Sequence, residues 1–374
     1  MRFINCSYET FINSIGTRKI IQFGASAAWS YFRGIFPNID SEVVDKTTLI
    51  VDNSPQKQNQ SFVIGEKKLE IKSPDVLRQE SDYVILITAI IAHQCDICQQ
   101  LLDMCLDKNV ECYSLYLMMY SQNAIDNTVV DSYFAGRNIK LIPSKIHSFW
   151  FSGEEKPDLY KRCIESWYKY CPDYEIIEWN TNNYDISKNR YMVEAFEHRK
   201  WAFVSDFARL DVMYQYGGVY LDMDVELVAP LDKYLLADSF FCRQDDGMLD
   251  LGSGFGAQKG NSLIGDMLDS YKDRRLVLED GSIDKTAQPE FVNSILIKNG
   301  FSRNHNSEVV GNCLVLSNDY ITCYSGDESV KNARLGIHWH NGSWLEEKDR
   351  KNIEASMDAR GYLIEKFFNG NLLF

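Results

Sequence analysis

The sequence has too few basic residues to balance its acidic ones. Its 374 residues include 39 Lys and Arg against 53 Asp and Glu, which gives a formal net charge of −14. Nucleic acids and anionic membranes both require a basic face on their protein partner, so this charge argues against either as a general partner. An anionic ligand would need a local source of positive charge.

A long apolar run and a targeting segment are also missing. The longest apolar stretch, YVILITAIIA from Tyr83, is about half of the ~20 residues that a membrane-spanning helix needs. The first residues, MRFINCSYETFINSIG, have neither the apolar core of a secretory signal nor an arginine-rich transit pattern. We therefore expect a cytoplasmic location, with peripheral attachment at the inner face of the cell membrane as the closest approach to lipid.

Ten cysteines without a secretory leader predict free and mostly buried thiols. One cluster contains Cys95, Cys98, Cys105 and Cys112, and its spacing is helical, so that Cys98 and Cys105 are expected to share a face. Small buried side chains are favoured here, with a zinc or redox site as the alternative.

The chain is long enough for two domains with proper cores, and its composition is that of a globular protein. In the first third, short apolar runs such as TTLIVDN and DYVILIT alternate with helical patterns. One of these helical patterns is SPDVLRQE, with Ser73 as its cap and Pro74 as its first residue. Strict alternation predicts a parallel sheet covered by helices. We expect a Rossmann-like α/β domain over 1–120, a linker over 121–142 and a second α/β domain over 143–374.

The turn after the first long strand pattern carries only part of a dinucleotide-binding motif. Gly24 supplies the first glycine, but Ser26 and Trp29 stand where the other two belong. Asp52 ends the next strand, where an acidic residue holds a ribose in such domains, although aspartate is also an ordinary turn residue. The first domain is therefore interpreted as degenerate, with a structural or acceptor-positioning role favoured over a bound cofactor.

The stretch WAFVSDFARLDVMYQYGGVYLDMDVEL, residues 201–227, holds the main chemical signal. Its first part has the apolar spacing of a helix that ends at Gly217 and Gly218. Asp206 and Arg209 are three residues apart and are expected to project together. The alternating VYLDMDVEL predicts one strand with Asp222 and Asp224 on the same face.

Two adjacent carboxylates repel each other unless a cation or a proton lies between them. A divalent cation with oxygen ligands satisfies both and supplies the positive charge that an anionic substrate would need. The helix that presents Asp206 and Arg209 strengthens this interpretation, whereas an isolated Asp-x-Asp is a weak signal. The alternative without a functional role is that Asp206 and Arg209 form a surface ion pair that contributes little to stability.

Four ordered blocks resemble the sugar transferases of glycosyltransferase family 32, whose DXD motif is shared by the catalytic core of the large clostridial glucosylating toxins. The blocks are IPSKIHSFWF (142–151), CIESWYKYCPDYEIIEWN (163–180), FVSDFARLDVMYQYGGVYLDMDVELVAPLD (203–232) and IHWHNGSW (337–344). The resemblance implies a GT-A fold in the second domain, a nucleotide-diphosphate sugar as donor, most simply a UDP-sugar, and retention of the anomeric configuration.

The resemblance also implies roles for individual residues. Asp206, Arg209, Asp222 and Asp224 would be catalytic, with Asp206 and Arg209 on the hydroxyls of the donor. Mn²⁺ or Mg²⁺ would be held by Asp222, Asp224, Asn341 and Ser343. The remaining donor contacts would come from Trp150, Tyr220, His338, His340 and Trp344. Trp150 would stack on the base, unless it is a core residue.

The acceptor implied by the resemblance is a saccharide, with a lipid-linked one in bacterial capsular or O-antigen synthesis as the leading expectation. Two alternatives stay open: a toxin-like enzyme that glycosylates a protein, and a nucleotide-sugar-binding protein without turnover. The stretches LGSGFGAQKG from Leu251 and TAQPEFVNSIL from Thr286 depart from the family pattern. Because both would shape the sugar and acceptor pockets, the donor sugar and the acceptor are not fixed by the sequence.

Overall fold

In a computed structural model the chain divides into two compact units. The structure describes residues 1–120, 125–324, 327–340, 351, 355 and 358–368. Within these ranges, residues 27–28, 30–31, 34–35, 37, 285 and 287 are not described. Met1–Ala124 and Glu346–Phe374 make up the first unit, and Ile125–Leu345 makes up the second. The C-terminal segment, which was expected with the second domain, thus groups with the first unit.

The first unit is built on a seven-stranded sheet with the order β1-β7-β6-β2-β3-β5-β4. Its strands are β1 Arg2–Ile4, β2 Lys19–Phe23, β3 Thr47–Val51, β4 Ser61–Ile64, β5 Lys67–Lys72, β6 Tyr83–Ile87 and β7 Glu111–Ser114. All neighbours are parallel except β4 and β5, which form an antiparallel hairpin. Strict alternation of strand and helix was therefore wrong at this point, because a two-residue turn with Gly65 at φ 54° reverses the chain directly.

The helical segments of the first unit are mostly short. They are α1 Tyr8–Ile15, α2 Ile91–Asp103 and α3 Leu115–Met118, a 3-10 helix Pro74–Gln79, and π-helical turns Asp40–Val44 and Ile364–Phe368. Ser73 caps the 3-10 helix by accepting a hydrogen bond from the backbone N–H of Asp75, as the sequence predicted. Another helical sequence pattern of the first third, AAWSYFRGIF (27–36), lies largely outside the described residues.

The prediction that Cys98 and Cys105 share a helical face is wrong. The helix α2 ends at Asp103, and Cys105 follows in the left-handed region at φ 51°. Cys98 is buried whereas Cys105 is exposed, and all ten cysteines are free thiols. The favoured prediction of free, mostly buried thiols is thus confirmed.

Asp52 holds together two turns at the carboxyl edge of the sheet in the first unit. One carboxylate oxygen accepts from the backbone N–H of Ala25 at 2.8 Å and from Lys57 Nζ at 3.1 Å. The other oxygen accepts from the backbone N–H of Ser54 at 2.9 Å. Groups of the chain itself therefore occupy the carboxylate that would meet a ribose in a dinucleotide-binding domain.

The second unit contains a seven-stranded mixed sheet of order β14-β15-β12-β13-β10-β8-β9 and a three-stranded sheet of order β11-β17-β16. The strands are β8 Lys145–Phe149, β9 Glu175–Trp179, β10 Gly218–Tyr220, β11 Val225–Leu227, β12 Ser239–Cys242, β13 Phe255–Ala257, β14 Glu308–Val310, β15 Cys313–Leu316, β16 Ile321–Cys323 and β17 Gly336–His338. The α/β class expected from the sequence is confirmed in both units.

Helices flank these sheets. They are α4 Thr128–Phe134, α5 Asp158–Tyr170, α6 Arg190–Glu197, α7 Trp201–Tyr216, α8 Ser262–Asp269, α9 Gln288–Lys298 and α10 Asp327–Asn332, with 3-10 helices Ile186–Lys188 and Asp232–Leu236. The expected linker therefore contains α4, whose Val130 and Phe134 are buried in the core of the second unit. Among the helices of the described residues, none has both the length and the apolar character needed to span a bilayer.

The core of the second unit consists of two apolar clusters that share the strand β10. Val219 and Leu221 belong to one cluster, together with Met223, Val225 and Leu227. Tyr220 belongs to the other cluster, which also contains most of the buried face of α7. Alternate side chains of β10 thus enter different apolar layers, as the period of a strand requires.

Candidate active site

The helix α7 delivers a buried polar pair to the second unit. From Phe203 to Met213 every residue is buried, and the helix ends at Gly217 with φ 65°. A Cβ at Gly217 would stand 2.6 Å from the backbone nitrogen of Lys259. Glycine is therefore needed here both for conformation and for space, and the predicted end of the helix is confirmed.

Asp206 and Arg209 form an ion pair in the interior rather than at the surface. Arg209 Nη2 lies 3.2 Å from Asp206 Oδ1, and the two residues are 5% and 7% exposed, respectively. The same Nη2 lies 3.6 Å from Asp222 Oδ1, and the guanidinium carbon stands 4.7 Å from the ring centroid of Tyr220. The surface ion pair considered from the sequence is thus wrong, and Arg209 joins the helix to the DXD segment.

The predicted single strand VYLDMDVEL is broken in the middle. β10 belongs to the large sheet and β11 to the small one, and the residues between them form a turn in which Val225 N–H donates to Asp222 O at 3.0 Å. The DXD triplet occupies this turn. Sequence alternation could not reveal the break, because apolar residues continue at every second position through the turn and all of them are buried.

Asp222, Asp224 and His338 meet at the point where the chain passes from one sheet to the other. Each residue offers one ligand atom, and these atoms all lie within 4.8 Å of one another. His338 comes from β17, which pairs with β11 so that Val225 lies opposite His338. His338 Nε2 is 3.4 Å from Asp224 Oδ1.

A second acidic group lies on the other side of His338. Asp250 Oδ2 is 3.4 Å from His338 Nδ1, and Asp250, His338 and His340 form another set of mutually close ligand atoms. The imidazole rings of His338 and His340 stack with centroids 3.9 Å apart. His340 has a φ of 47°, and its Nε2 lies 3.0 Å from Cys323 Sγ.

Burial and neighbouring charges shift the ionisation of this cluster. Burial raises the pKa of Asp206 to about 6, with Asp222 and Asp250 adding to the rise and Arg209 opposing it. Burial also raises the pKa of Asp222, and Asp224 adds to that rise. Burial alone would lower the pKa of Arg209, but the carboxylates around it outweigh burial and raise it. The cluster holds more negative charge than Arg209 neutralises, which favours binding of a cation.

Tyr220 and Trp150 lie at the ends of adjacent strands beside the DXD turn. The Tyr220 hydroxyl donates a hydrogen bond to the Asp222 carboxylate. β8 pairs with β10, and Ser148 Oγ donates to Leu221 O at 2.7 Å. Trp150 follows β8, is partly buried, and donates from its indole N–H to Glu154 O at 2.7 Å. The structure thus brings Asp206, Arg209, Tyr220, Asp222, Asp224 and His338 into direct contact and sets Trp150 at the adjacent strand end.

The HWHNGSW block is described only in its first half. Trp339 donates to Glu226 Oε2 at 3.0 Å and stacks on Tyr324 with centroids 4.6 Å apart. Trp339 thus anchors this part of the chain. The histidines on either side of it, His338 and His340, belong to the cluster that contains Asp224 and Asp250. The predicted metal ligands Asn341 and Ser343 and the predicted donor contact Trp344 lie outside the described residues.

Sequence reasoning missed four contributors to this site. Asp250 and Ser253 contact His338, and Gly252 lies against Asp222. Gly252 and Ser253 belong to the stretch from Leu251 that departed from the family pattern, and Asp250 directly precedes it. Gln288, from the other departing stretch, donates from Nε2 to the backbone oxygen of Asp206 at 2.9 Å. The turn-type sequence Asp-Leu-Gly-Ser (250–253) between two strand patterns is a signal that could have suggested the first group.

Residues 157–241 match the family described as a glycosyltransferase sugar-binding region containing a DXD motif. The match includes Asp206, Arg209, Asp222 and Asp224. The chain is therefore an enzyme of the glycosyltransferase class with a sugar-binding DXD region.

Two solved structures show distant likeness to the chain. The PaToxG glycosyltransferase is 16% identical, with 46% of this chain and 74% of that chain covered and a TM-score of 0.32. A glycosyltransferase involved in the glycosylation of the major capsid of PBCV-1 is 14% identical, with 57% and 98% covered and a TM-score of 0.33. No curated protein sequence gives a significant match.

Proposed function

We propose that the chain is a metal-dependent, retaining glycosyltransferase that moves a hexose from a nucleotide-diphosphate sugar to a saccharide acceptor. The observation that carries this proposal is the meeting of Asp222, Asp224 and His338, whose ligand atoms lie within 4.8 Å of one another. Asp222 and Asp224 belong to the matched sugar-binding region. The resemblance to family 32 supports a GT-A type of domain with a UDP-sugar as donor.

The donor atoms at the DXD turn fit a divalent cation. They consist of two carboxylate oxygens and one imidazole nitrogen, with Asp224 and His338 buried and Asp222 partly buried. A further buried carboxylate, Asp250, lies beside them. Carboxylates suit Mg²⁺ and Mn²⁺, and the imidazole favours Mn²⁺ over Mg²⁺. Asp222, Asp224 and His338 would hold the ion, with Asn341 and Ser343 as the further ligands that the resemblance implies. When bound, the ion would supply Lewis acidity and neutralise negative charge on the diphosphate.

The remaining side chains would bind and orient the donor. Asp206 accepts hydrogen bonds from hydroxyls of the ribose or the sugar. Arg209 holds Asp206 and Asp222 together, since its Nη2 lies 3.2 Å from Asp206 Oδ1 and 3.6 Å from Asp222 Oδ1. Trp150 stacks on the base, and Tyr220 orients Asp222. His338 and His340 would lie on the diphosphate side, with Trp344 as the further donor contact that the resemblance implies. These positions hold the reacting carbon in one geometry, which is the main contribution a protein makes to such a transfer.

The positions of the carboxylates support the retention that the resemblance implies. Inversion needs a base behind the anomeric carbon to take the proton of the acceptor. Asp222 and Asp224 serve the cation on the leaving-group side, and Asp206 is paired with Arg209. The acceptor hydroxyl therefore attacks from the face of the leaving group, and a leaving phosphate oxygen takes its proton.

The proposed biological setting is bacterial capsular or O-antigen polysaccharide synthesis at the inner face of the cell membrane. A cytoplasmic enzyme acting on a lipid-linked saccharide there needs only peripheral attachment. The support for this setting comes from the resemblance alone.

The test is an assay of UDP release from a panel of UDP-sugars with and without Mn²⁺. Slow hydrolysis of one donor without an acceptor, dependent on Mn²⁺, supports the enzyme. Binding of UDP-sugars without any UDP release, with or without saccharide acceptors, contradicts it and indicates a nucleotide-sugar-binding protein.

A further inference from the structure

A chain of buried polar groups runs from Asp250 through Ser253 and His338 to Asp224. Ser253 Oγ donates to Asp250 Oδ2 at 2.7 Å, and Ser253 Oγ lies 3.0 Å from His338 Nδ1. His338 Nε2 lies 3.4 Å from Asp224 Oδ1. All four residues are buried, between 0% and 8% exposed. Each hydrogen-bonding atom in this chain is therefore constrained by its neighbours.

The hydrogen bonds of Ser253 place a hydrogen on Nδ1 of His338. A serine hydroxyl has one proton, and here that proton is donated to Asp250. Ser253 Oγ can then only accept from His338, so Nδ1 carries a hydrogen. Burial opposes a charged imidazole, but Asp224 and Asp250 raise the pKa of His338 well above its ordinary value, so both ring nitrogens carry a proton in the free site. Loss of one proton to an incoming cation leaves the Nδ1 hydrogen on Ser253 and places the lone pair on Nε2, the nitrogen that faces Asp224.

The Asp250 carboxylate is itself held in place by the turn that follows it. Its Oδ1 accepts from the backbone N–H of Gly252 at 2.9 Å, and its Oδ2 accepts from the backbone N–H of Ser253 at 3.1 Å. The ring of His338 is also packed against that of His340, at 3.9 Å between centroids. The orientation of His338 and the position of its Nδ1 hydrogen are thus set before any ligand arrives.

We propose that Asp250 and Ser253 are positioning residues that hold His338 with Nδ1 protonated, so that Nε2 is the third protein ligand for the cation bound by Asp222 and Asp224. This inference rests on the proposed function only in requiring that cation. Outer partners of this kind orient metal-binding histidines, and their loss typically weakens metal affinity by about 10- to 100-fold.

A purely structural role for Asp250 and Ser253 predicts a change in stability without a change in metal binding. If they only stabilised the turn at residues 250–253, their substitution would lower the melting temperature and leave the histidine–metal contact intact. Ser317 provides a matched control, since it is a fully buried serine of the same unit whose hydroxyl bonds to Asp319, Asn127 and Ser307.

The experiment uses the full chain and Mn²⁺ alone. Mn²⁺ affinity is measured by calorimetry for the native protein and for Ser253→Ala, Asp250→Asn, His338→Gln, Asp224→Asn and Ser317→Ala, together with melting temperatures. Pulsed electron paramagnetic resonance of bound Mn²⁺ then reports coupling to an imidazole nitrogen. We expect this coupling in the native protein and in Ser317→Ala, and its loss in His338→Gln. We also expect Mn²⁺ binding to weaken by about 10- to 100-fold in Ser253→Ala and Asp250→Asn but not in Ser317→Ala.

Two results overturn the inference. One leaves the proposed function intact, and the other contradicts it as well. If the native chain binds Mn²⁺ in a way that Asp224→Asn abolishes, but Ser253→Ala binds it like Ser317→Ala, only the positioning role fails. If the native chain binds no Mn²⁺, the proposed function fails as well. Ser253→Ala is the milder substitution and keeps the inference testable if Asp250→Asn does not fold.

Discussion

Gly252 lies so close to Asp222 that any side chain in its place would displace the Asp222 carboxylate. A Cβ at position 252 would stand 2.6 Å from Asp222 Oδ2 and 3.2 Å from Asp250 Oδ1. The backbone oxygen of Gly252 also accepts a hydrogen bond from Asp222 N–H at 3.3 Å. The absence of a side chain at Gly252 thus leaves the space that the Asp222 carboxylate occupies.

Gly252→Ala should therefore displace the Asp222 carboxylate from Asp224 and His338. A displacement of about 1 Å at a reacting centre costs on the order of 100-fold in rate, so we expect kcat/KM for donor cleavage to fall by about that factor. Gly361→Ala is the control, because a Cβ there meets nothing within 4 Å. An unchanged kcat/KM in Gly252→Ala would show that the Asp222 position is unimportant for catalysis.

Substitutions of the buried ion pair should reduce turnover more than stability. Asp206→Asn keeps the shape of the side chain, and Arg209→Lys keeps its charge but loses the planar fork that reaches Asp206 and Asp222. We expect each to lower kcat/KM by about 100-fold or more, as loss of a preorganised polar contact does.

Asp211→Asn is the matched control for that pair. Asp211 lies on the same helix, is 7% exposed, and pairs with Lys188 at 2.7 Å. Steady-state kinetics and melting curves of the three variants separate the two effects. If Asp206→Asn lost stability and activity only to the extent that Asp211→Asn does, the pair at Asp206 would have a structural role alone.

His147 should make the second unit less stable in acid. The Trp179 indole N–H donates to His147 Nδ1 at 3.1 Å, so the imidazole is neutral and its Nε2–H donates to Gly217 O at 2.9 Å. Burial lowers the pKa of His147 to about 4 from an ordinary value of 6.5. Between these two values the unfolded chain binds more protons, so stability falls as the pH falls through this window.

The size of this effect can be checked by urea unfolding at several pH values. A shift of this size corresponds to roughly 3 kcal/mol of unfolding free energy at most. His147→Gln should be less stable than the native protein at neutral pH but should lose less on acidification to pH ~4.5. Equal losses in the two proteins would show that other groups govern the acid sensitivity.

The product should keep the α configuration of the donor. Front-side attack needs no base behind the anomeric carbon. Asp222 and Asp224 would hold the cation, Asp206 is paired with Arg209, and Asp250 is hydrogen-bonded to Ser253. The coupling constant of the product anomeric proton in an NMR spectrum gives the answer. A β-linked product from an α-linked donor would exclude both this course and the resemblance to family 32.

The local parts of the site were predictable from the sequence because they depend on short spacings. The contact between Asp206 and Arg209 follows from their separation of three residues on a helix, and the end of that helix follows from Gly217. The burial of alternate residues around the DXD triplet was likewise visible in the apolar pattern.

The parts that depend on distant pairing were not predictable. The apolar pattern of VYLDMDVEL is the same for one strand as for two strands joined by a turn, so the change of sheet between Tyr220 and Val225 left no trace in it. The contacts of His338 with Asp250 and Ser253 depend on the pairing of β17 with β11 and on a turn far away in sequence. The same holds for Gln288, which reaches Asp206 from the start of another helix.

Mn²⁺-dependent UDP release by Asp224→Asn tests the central claim most directly. The matched control is Asp269→Asn, since Asp269 is an exposed carboxylate paired with Lys272. We expect the native protein and Asp269→Asn to bind Mn²⁺ and to release UDP from the same UDP-sugar, to stop when the ion is chelated, and to recover when Mn²⁺ is restored. Asp224→Asn should lose both Mn²⁺ binding and UDP release, because it loses a charge and a metal ligand together. Near-native, Mn²⁺-dependent turnover in Asp224→Asn would contradict the account.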